Sequence, residues 1–473
     1  MRRPFTHWGG QRLLVNARSK SSGGLGIGVL LIIGALHLAA VMLLPSARAY
    51  LSPRFTLVIA AVFLGLIAVG TMSTALMAML LCVAPTVQLG VLSAAGIAFN
   101  PTLILGTALS FGLLLRLFTE QVIPRSAWTV TGQLSFGAVI AAPAAVVLSS
   151  IMNGESLLNC APWIVAFVCA LSIILSSRFG YLRARAIPVI LLIGFAISAT
   201  SDLLKYFTGT AFETKGLNAG RFLGGMGDYE LLGEFYAVAI IIALATLIHV
   251  RRLAVSILAL YVIGLGLILI FATQSRSPII TLAIACPLVV IAPLVGNSVP
   301  RSRVAIIIAV GASIGMALLP LISSSKIVGR LLEVSDKGDF ARTLNRSSVW
   351  PRVVADPTFR TSGLFGNGPT GMFEWYGTFP HNLVLWTIWS LGIIGCIFVA
   401  LLAATGISEI VQWRKHNWVA VTLGLSLVAL LVDQTVIEFP REGSMILFVL
   451  ALCALVGAAS ISEGSDSVGH STE

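Results

Sequence analysis

Arg276 stands in Phe271-Ala-Thr-Gln-Ser-Arg-Ser-Pro278, between two apolar runs near 253–273 and 277–295. Each run is long enough to cross a bilayer. A charge at membrane depth costs about 2.5–3.5 kcal/mol at a helix centre on insertion scales, and it marks function by default. Ser275, Ser277 and Pro278 predict a tight turn that opens a helix. An arginine fork beside helix-end N–H donors suits a phosphate group. The competing reading is an interfacial arginine snorkelling from a short hairpin.

Arg221 opens Gly220-Arg-Phe-Leu-Gly-Gly-Met-Gly-Asp-Tyr-Glu-Leu-Leu-Gly-Glu234. Its glycines permit backbone turns close to a ligand, and Asp228 predicts a helix N-cap. Glu230 and Glu234 fall four apart on one helical face, a pair that ties loop to bundle rather than one that catalyses. Arg221 is either a ligand-binding cation or the partner of Asp228. Further on, Arg342-Thr-Leu-Asn-Arg-Ser-Ser-Val-Trp350 places Arg342 and Arg346 on one face if helical, with Trp350 able to stack on a sugar or to anchor the loop. The last cluster is Phe365-Gly-Asn-Gly-Pro369 followed by Phe379-Pro-His-Asn-Leu-Val-Leu-Trp386. His381 and Asn382 stand at the entrance to a long apolar helix, where a histidine can act as a base or hold an acceptor.

Absences narrow the chemistry. No glycine-rich phosphate loop ending in Lys-Ser/Thr occurs, which speaks against an ATP-driven pump. The acids expected inside spans are Glu230, Glu234 and Asp433, few for an ion-coupled carrier. No Asp-x-Asp pair occurs in the outer loops, although Asp336 and Asp339 are close. The six cysteines show no CxxC spacing and read as small buried hydrophobes rather than zinc ligands or a disulfide framework.

The elements that must position these residues are membrane helices. Of 473 residues, 57% are hydrophobic and 10% are charged, against about 25% charged in an ordinary soluble domain. A soluble enzyme, a nucleic-acid binder and a disordered scaffold are therefore poor readings, and the net charge of +11 reflects the cytoplasmic bias of Lys and Arg. Hydropathy gives twelve to fourteen spans, near 25–44, 55–70, 72–92, 101–118, 131–151, 161–177, 185–203, 230–249, 253–273, 277–295, 303–322, 382–404, 418–437 and 444–461. With the basic N-tail inside, sixteen Lys and Arg fall in cytoplasmic segments and four in short outer loops. This is the asymmetry of an even number of spans. The predicted organisation is a cytoplasmic tail over 1–24, helices in 25–203, an outer loop over 204–229, helices in 230–322, a long, partly helical outer loop over 323–381, helices in 382–461 and a cytoplasmic tail over 462–473. The fold class is an all-α integral membrane bundle.

An outer arginine before a span, Thr273-Gln-Ser-Arg-Ser277 between two spans, a long outer loop with arginine and tryptophan, Phe365-Gly-Asn-Gly368, and then His381-Asn382 form an ordered set. From Arg221 to Ile407, some 40% of the chain, it resembles the O-antigen ligase and polysaccharide polymerase superfamily. It departs in having Gly-Met-Gly-Asp-Tyr after Arg221, where relatives often show Asn-Pro-Asn-like residues. The resemblance implies a GT-C-like fold and a metal-independent inverting glycosyltransferase without cofactor. Its donor would be a polyprenyl-diphosphate-linked oligosaccharide at the outer face of the bacterial inner membrane, and its acceptor a glycan or lipid hydroxyl. Arg221 and Arg276 would match the diphosphate-binding arginines, Arg346 the loop arginine, and His381 the histidine beside the acceptor. Trp350 and Asn382 would contact sugar or acceptor. Both termini would be cytoplasmic. Expected partners are membrane lipids and envelope-polysaccharide assembly proteins, with no nucleic acid. A multi-span carrier or flippase for lipid-linked glycans, and a non-enzymatic envelope scaffold, are the alternatives.

Overall fold

The computed structural model describes residues 110, 113–114, 127–180, 182–213, 220–295, 299–309, 311, 349–356, 363–369, 382–412, 417–434 and 443–468. The chain divides into two units, Met1–Ser73 with Leu89–Gln121, and Thr74–Gln88 with Val122–Glu473. Of the first unit only the helical residues Ser110, Leu113 and Leu114 are described. The second unit holds every other described residue.

The described residues are mostly helical and contain no strand; one isolated bridge joins Phe212 to Phe222. In order the main helices are α1 (Val130–Met152), α2 (Ala161–Arg178), α3 (Ile187–Phe207), α4 (Tyr229–His249), α5 (Leu253–Thr273), α6 (Ser277–Val295), α7 (Leu383–Val411), α8 (Trp418–Asp433) and α9 (Gly443–Val468). Helices α1 to α7 are long and apolar enough to cross a membrane, and α8 and the Met445–Ile461 part of α9 are shorter apolar helices. The chain is thus a multi-pass membrane protein by helix length and composition. Polar caps set several starts: Thr129, Asp228, Asn382 and Asn417 each accept a backbone N–H of the following turn. Pro162 and Pro188 sit in the first turns of α2 and α3, where no donor is missed.

Most boundaries lie within a few residues of the hydropathy reading, and 253–273 coincides with α5. α7 runs to Val411, seven residues past the expected end. The expected spans over 25–44, 55–70 and 72–92 lie outside the described residues, as do all but three residues of 101–118. Of 303–322, only 303–309 and 311 are described, all helical.

Two helices form the interior. Helix α4 is buried over most of its length and packs against α3, α5, α6 and α8. Helix α9 is buried at every position from Met445 to Ile461 and packs against α1, α2, α7 and α8. Both are apolar around the whole circumference, the pattern of a helix enclosed by others. Phe195, Phe235 and Phe448 join α3, α4 and α9, with Phe235 and Phe448 ring centroids 4.9 Å apart. Where α7 crosses α8, a methyl on Gly406 or Gly424 would press on the other's carbonyl. Small residues here let two backbones approach closely.

Cross-helix contacts sort the helix termini into two ends. At one end Thr129 meets Ser460, Thr131 meets Ser408, Ser177 donates to Ala458 O, and His249 stacks on Trp418. At the other lie the C-termini of α1, α3, α5 and α8 and the N-termini of α4, α6 and α7. The ends differ in charge. Among the described residues that these contacts place, the first carries Arg178, Arg183, Arg185, Arg251, Arg252, Arg301 and Arg303, and the second carries Lys205, Arg221 and Arg276; Arg352, on the short helix Val349–Ala355, is assigned to neither.

Helix α7 is broken at Gly392, whose φ is 65° and ψ −151°. Residues 363–369 fill the break. Ile393 N and Ile394 N donate to Gly363 O and Leu364 O at 3.2 and 3.3 Å, while Asn367 N and Gly368 N donate to Trp389 O and Ser390 O at 2.8 and 3.1 Å. A break frees backbone groups that must be paired where water is scarce, and this segment pairs them. Nine residues separate Gly392 from the start of α7, so the segment reaches roughly 14 Å along the helix.

Candidate functional site

Arg221, Arg276 and Asn382 come to the less basic end. The chain carrying Arg221 is held from both sides: Glu213 N donates to Arg221 O at 2.8 Å, and Phe222 N donates to Ala272 O at 3.2 Å. Ala272 lies on the last turn of α5, four residues before Arg276. The Arg221 segment is therefore laced to the helix whose end leads into the Arg276 turn. That turn forms as its sequence predicts. Gln274 takes the left-handed conformation with φ 54°. Ser277 then opens α6, and Ile279 N and Ile280 N donate to Arg276 O at 3.1 and 3.2 Å.

The Arg221 guanidinium lies 4.3 Å from the centroid of the Tyr229 ring. A cation over an aromatic face is attracted by the ring quadrupole, a contact that does not by itself cancel the charge. Arg221 Nε is buried and has no hydrogen-bond partner among the described residues. Asp228 caps α4 as expected, its Oδ1 accepting from Glu230 N at 2.8 Å and Leu231 N at 3.1 Å.

The glycine turn between them is fixed by a residue that hydropathy passes over. Asp202, fully buried near the end of α3, accepts from Gly225 N at 2.9 Å, Tyr236 Oη at 2.7 Å and Lys205 Nζ at 3.3 Å. One carboxylate thus ties α3, the turn and α4 together below Arg221. The expectation that acids inside spans are nearly absent apart from Glu230, Glu234 and Asp433 is corrected here. Asp202, inside the expected span 185–203, and Glu409, on the part of α7 that runs past its hydropathy boundary, are both fully buried. Asp202→Ala removes the acceptor of the buried Tyr236 hydroxyl and Gly225 amide, at about 1–3 kcal/mol for each group left unpaired. A clear drop in the thermal midpoint of the detergent-solubilised protein is expected, with a smaller drop for Asp202→Asn.

Helices α4, α6, α7 and α8 meet at this end. Ser277 Oγ donates to Asp433 Oδ1, Gln434 Nε2 donates to Glu234 Oε2, and Leu383 N donates to Gln434 O at 2.9 Å. Pro278 packs on Gly233, where a Cβ would collide with the proline ring. The start of α6, beside Arg276, is therefore pinned to α4 and α8, and the start of α7 to α8. Asn382 Oδ1 accepts from Leu385 N at 3.0 Å, so its side-chain oxygen is committed to capping α7.

Of the remaining candidates, Trp350 is the one among the described residues. Trp350 is half-buried on the short helix Val349–Ala355. Arg346 and His381 lie outside the described residues. The Phe365-Gly-Asn-Gly-Pro369 motif plugs the break in α7, its Asn367 and Gly368 amides spent on helix carbonyls rather than open to a ligand.

Among the described residues no group of three or more His, Cys, Asp or Glu is arranged to hold a metal ion, and the five described cysteines are free. What the end offers is guanidinium charge on rigid turns beside a helix N-terminus. That set can bind an anionic oxygen group and stabilise charge developing on it. The chain matches no protein-family model and no curated protein.

Proposed function

We propose that the chain is a glycosyltransferase that moves an oligosaccharide from a polyprenyl diphosphate carrier to an acceptor hydroxyl at the extracytoplasmic face of a bacterial inner membrane. It would be of the O-antigen ligase or polymerase type, with a GT-C-like fold. The observation that carries this reading is the lacing of the Arg221 segment to the end of α5, which leads into the Arg276 turn, at the end with fewer cations. The arginine-rich opposite end is then cytoplasmic by the positive-inside rule.

In this reading the sugar arrives activated. The acceptor oxygen forms a bond to the anomeric carbon as the bond to the diphosphate oxygen breaks, and the electron pair leaves with the diphosphate. Arg221, Arg276 and Arg346 bind that leaving group, where their charge counts for more than in water because the surroundings are poorly polarisable. His381 accepts the proton of the acceptor hydroxyl or orients it. Trp350 packs on a sugar face, and Asn382 caps the helix that His381 precedes.

The test is purified protein in lipid nanodiscs with a polyprenyl-diphosphate oligosaccharide and an acceptor glycan. Release of polyprenyl diphosphate with growth of the acceptor is expected, and excess EDTA should leave the rate unchanged. If the donor stays intact with every acceptor tried, the enzyme reading fails. The buried acids Asp202, Glu234 and Asp433 favour a second reading, a carrier for lipid-linked glycans. Sealed vesicles separate the two, because a carrier moves the donor across the bilayer without cleaving it.

A further inference from the structure

Two buried groups at this end have no part in binding phosphate. Glu234, on the second turn of α4, and Gln434, at the C-terminal cap of α8, are joined by the hydrogen bond from Gln434 Nε2 to Glu234 Oε2. Each leaves its other side-chain oxygen, Glu234 Oε1 and Gln434 Oε1, buried without a hydrogen-bond partner among the described residues. An ionised carboxylate has only acceptors to offer, whereas a carboxylic acid has one donor. Among the described residues, the charged groups bearing on Glu234 are Asp433 on α8, Asp228 at the cap of α4 and Glu230 on α4 itself, all acids.

We infer that Glu234 holds one proton, taken from water, and donates it to Gln434 Oε1. The acid and the amide then close a ring of two hydrogen bonds, and both orphaned oxygens are satisfied by one proton. The ring is also a clamp. Gln434 O accepts from Leu383 N, next to the Asn382 cap of α7, and the neighbouring Asp433 accepts from Ser277, next to Arg276. A neutral Glu234–Gln434 pair thus holds the first turns of α6 and α7 against α4. Both residues are positioning residues that act through the backbone of α7 and do not touch substrate.

Its influence on transfer rests on the proposed function, but its chemistry is testable without turnover. An amide mimics a neutral acid, so Glu234→Gln lets two amides close the same ring. In full-length protein, Glu234→Gln should keep the thermal midpoint and hold transfer within about twofold of the parent, whereas Glu234→Ala and Gln434→Leu should each lower the midpoint and cut transfer about tenfold or more. Infrared spectra of the parent should show the carbonyl stretch of a neutral carboxylic acid that vanishes in Glu234→Gln. The inference is overturned if Glu234→Gln is as damaged as Glu234→Ala, or if no neutral-acid band is lost. A parent that shows the band but transfers no glycan would sink the proposed function and leave the clamp standing. Transfer without the band would do the reverse.

Discussion

Arg276→Ala is expected to lower glycan transfer by about 10²–10³-fold, the usual cost of removing one donor aimed at developing negative charge. Abundance in the membrane should be unchanged. The reason for the second half is local: the backbone carbonyl of Arg276 opens α6 by accepting from Ile279 N and Ile280 N. The turn is fixed independently by Gln274 in the left-handed conformation and by the Ser277–Asp433 hydrogen bond. Removing the guanidinium should therefore cost chemistry rather than fold. Arg276→Lys keeps the charge but loses the planar fork, and should recover only part of the rate. Quantified polyprenyl diphosphate release, normalised to protein in the membrane, checks all three statements. Full activity in Arg276→Ala would remove this residue from the mechanism.

The second large effect is on folding. Gly392→Val should abolish accumulation of folded protein, and Gly366→Ala should lower the thermal midpoint sharply. At Gly392 a side chain meets both a positive φ and the backbone of Gly363, Leu364 and Gly366. At Gly366 a Cβ would overlap the carbonyl of Ser390, and φ is again positive at 71°. Left-handed backbone costs an L-residue about 1–2 kcal/mol before any collision. The collision here is with backbone, which cannot rotate away, and it would expel the segment that pairs the freed groups of α7. Each unpaired backbone group away from water costs several kcal/mol more. Size-exclusion profiles and melting curves of the solubilised variants give the answer, and Gly264→Ala, where a Cβ meets open space, is the matched control.

The described helices were legible because a bilayer demands long apolar runs, and those runs carry their own punctuation. Asp228 and the Ser-Arg-Ser turn both mark helix starts that the structure contains. The break in α7 left no such mark. The stretch 382–404 reads as one apolar run, and a glycine in a membrane helix is ordinary, so the kink is visible only through residues 363–369 that fill it. Asp202 was hidden for a related reason. It sits near a hydropathy boundary, and its partners Gly225 and Tyr236 are 23 and 34 residues away. The Glu234–Gln434 contact spans 200 residues. Local pattern carries no information about which of two distant helix ends will meet.

The candidate residues divide along the same line. Arg276 and Arg221 stood out because a cation beside a membrane span is costly enough to need a reason. The Phe-Gly-Asn-Gly segment stood out as one motif of an ordered set, and its glycines serve a close backbone approach. In the structure the close approach is to α7 itself. Asn382 likewise has a polar side chain whose position at a helix start is explained by capping alone.

The central claim is that a diphosphate sits at the less basic end between Arg221 and Arg276. An electron-microscopy map of the full-length protein in nanodiscs with bound polyprenyl diphosphate tests it most directly. Phosphate oxygens are expected within about 3 Å of both guanidinium groups, the distance of a charge-assisted hydrogen bond. Diphosphate bound at the arginine-rich end near Arg251 and Arg303, or the two guanidinium groups pointing away from a common ligand, would contradict it.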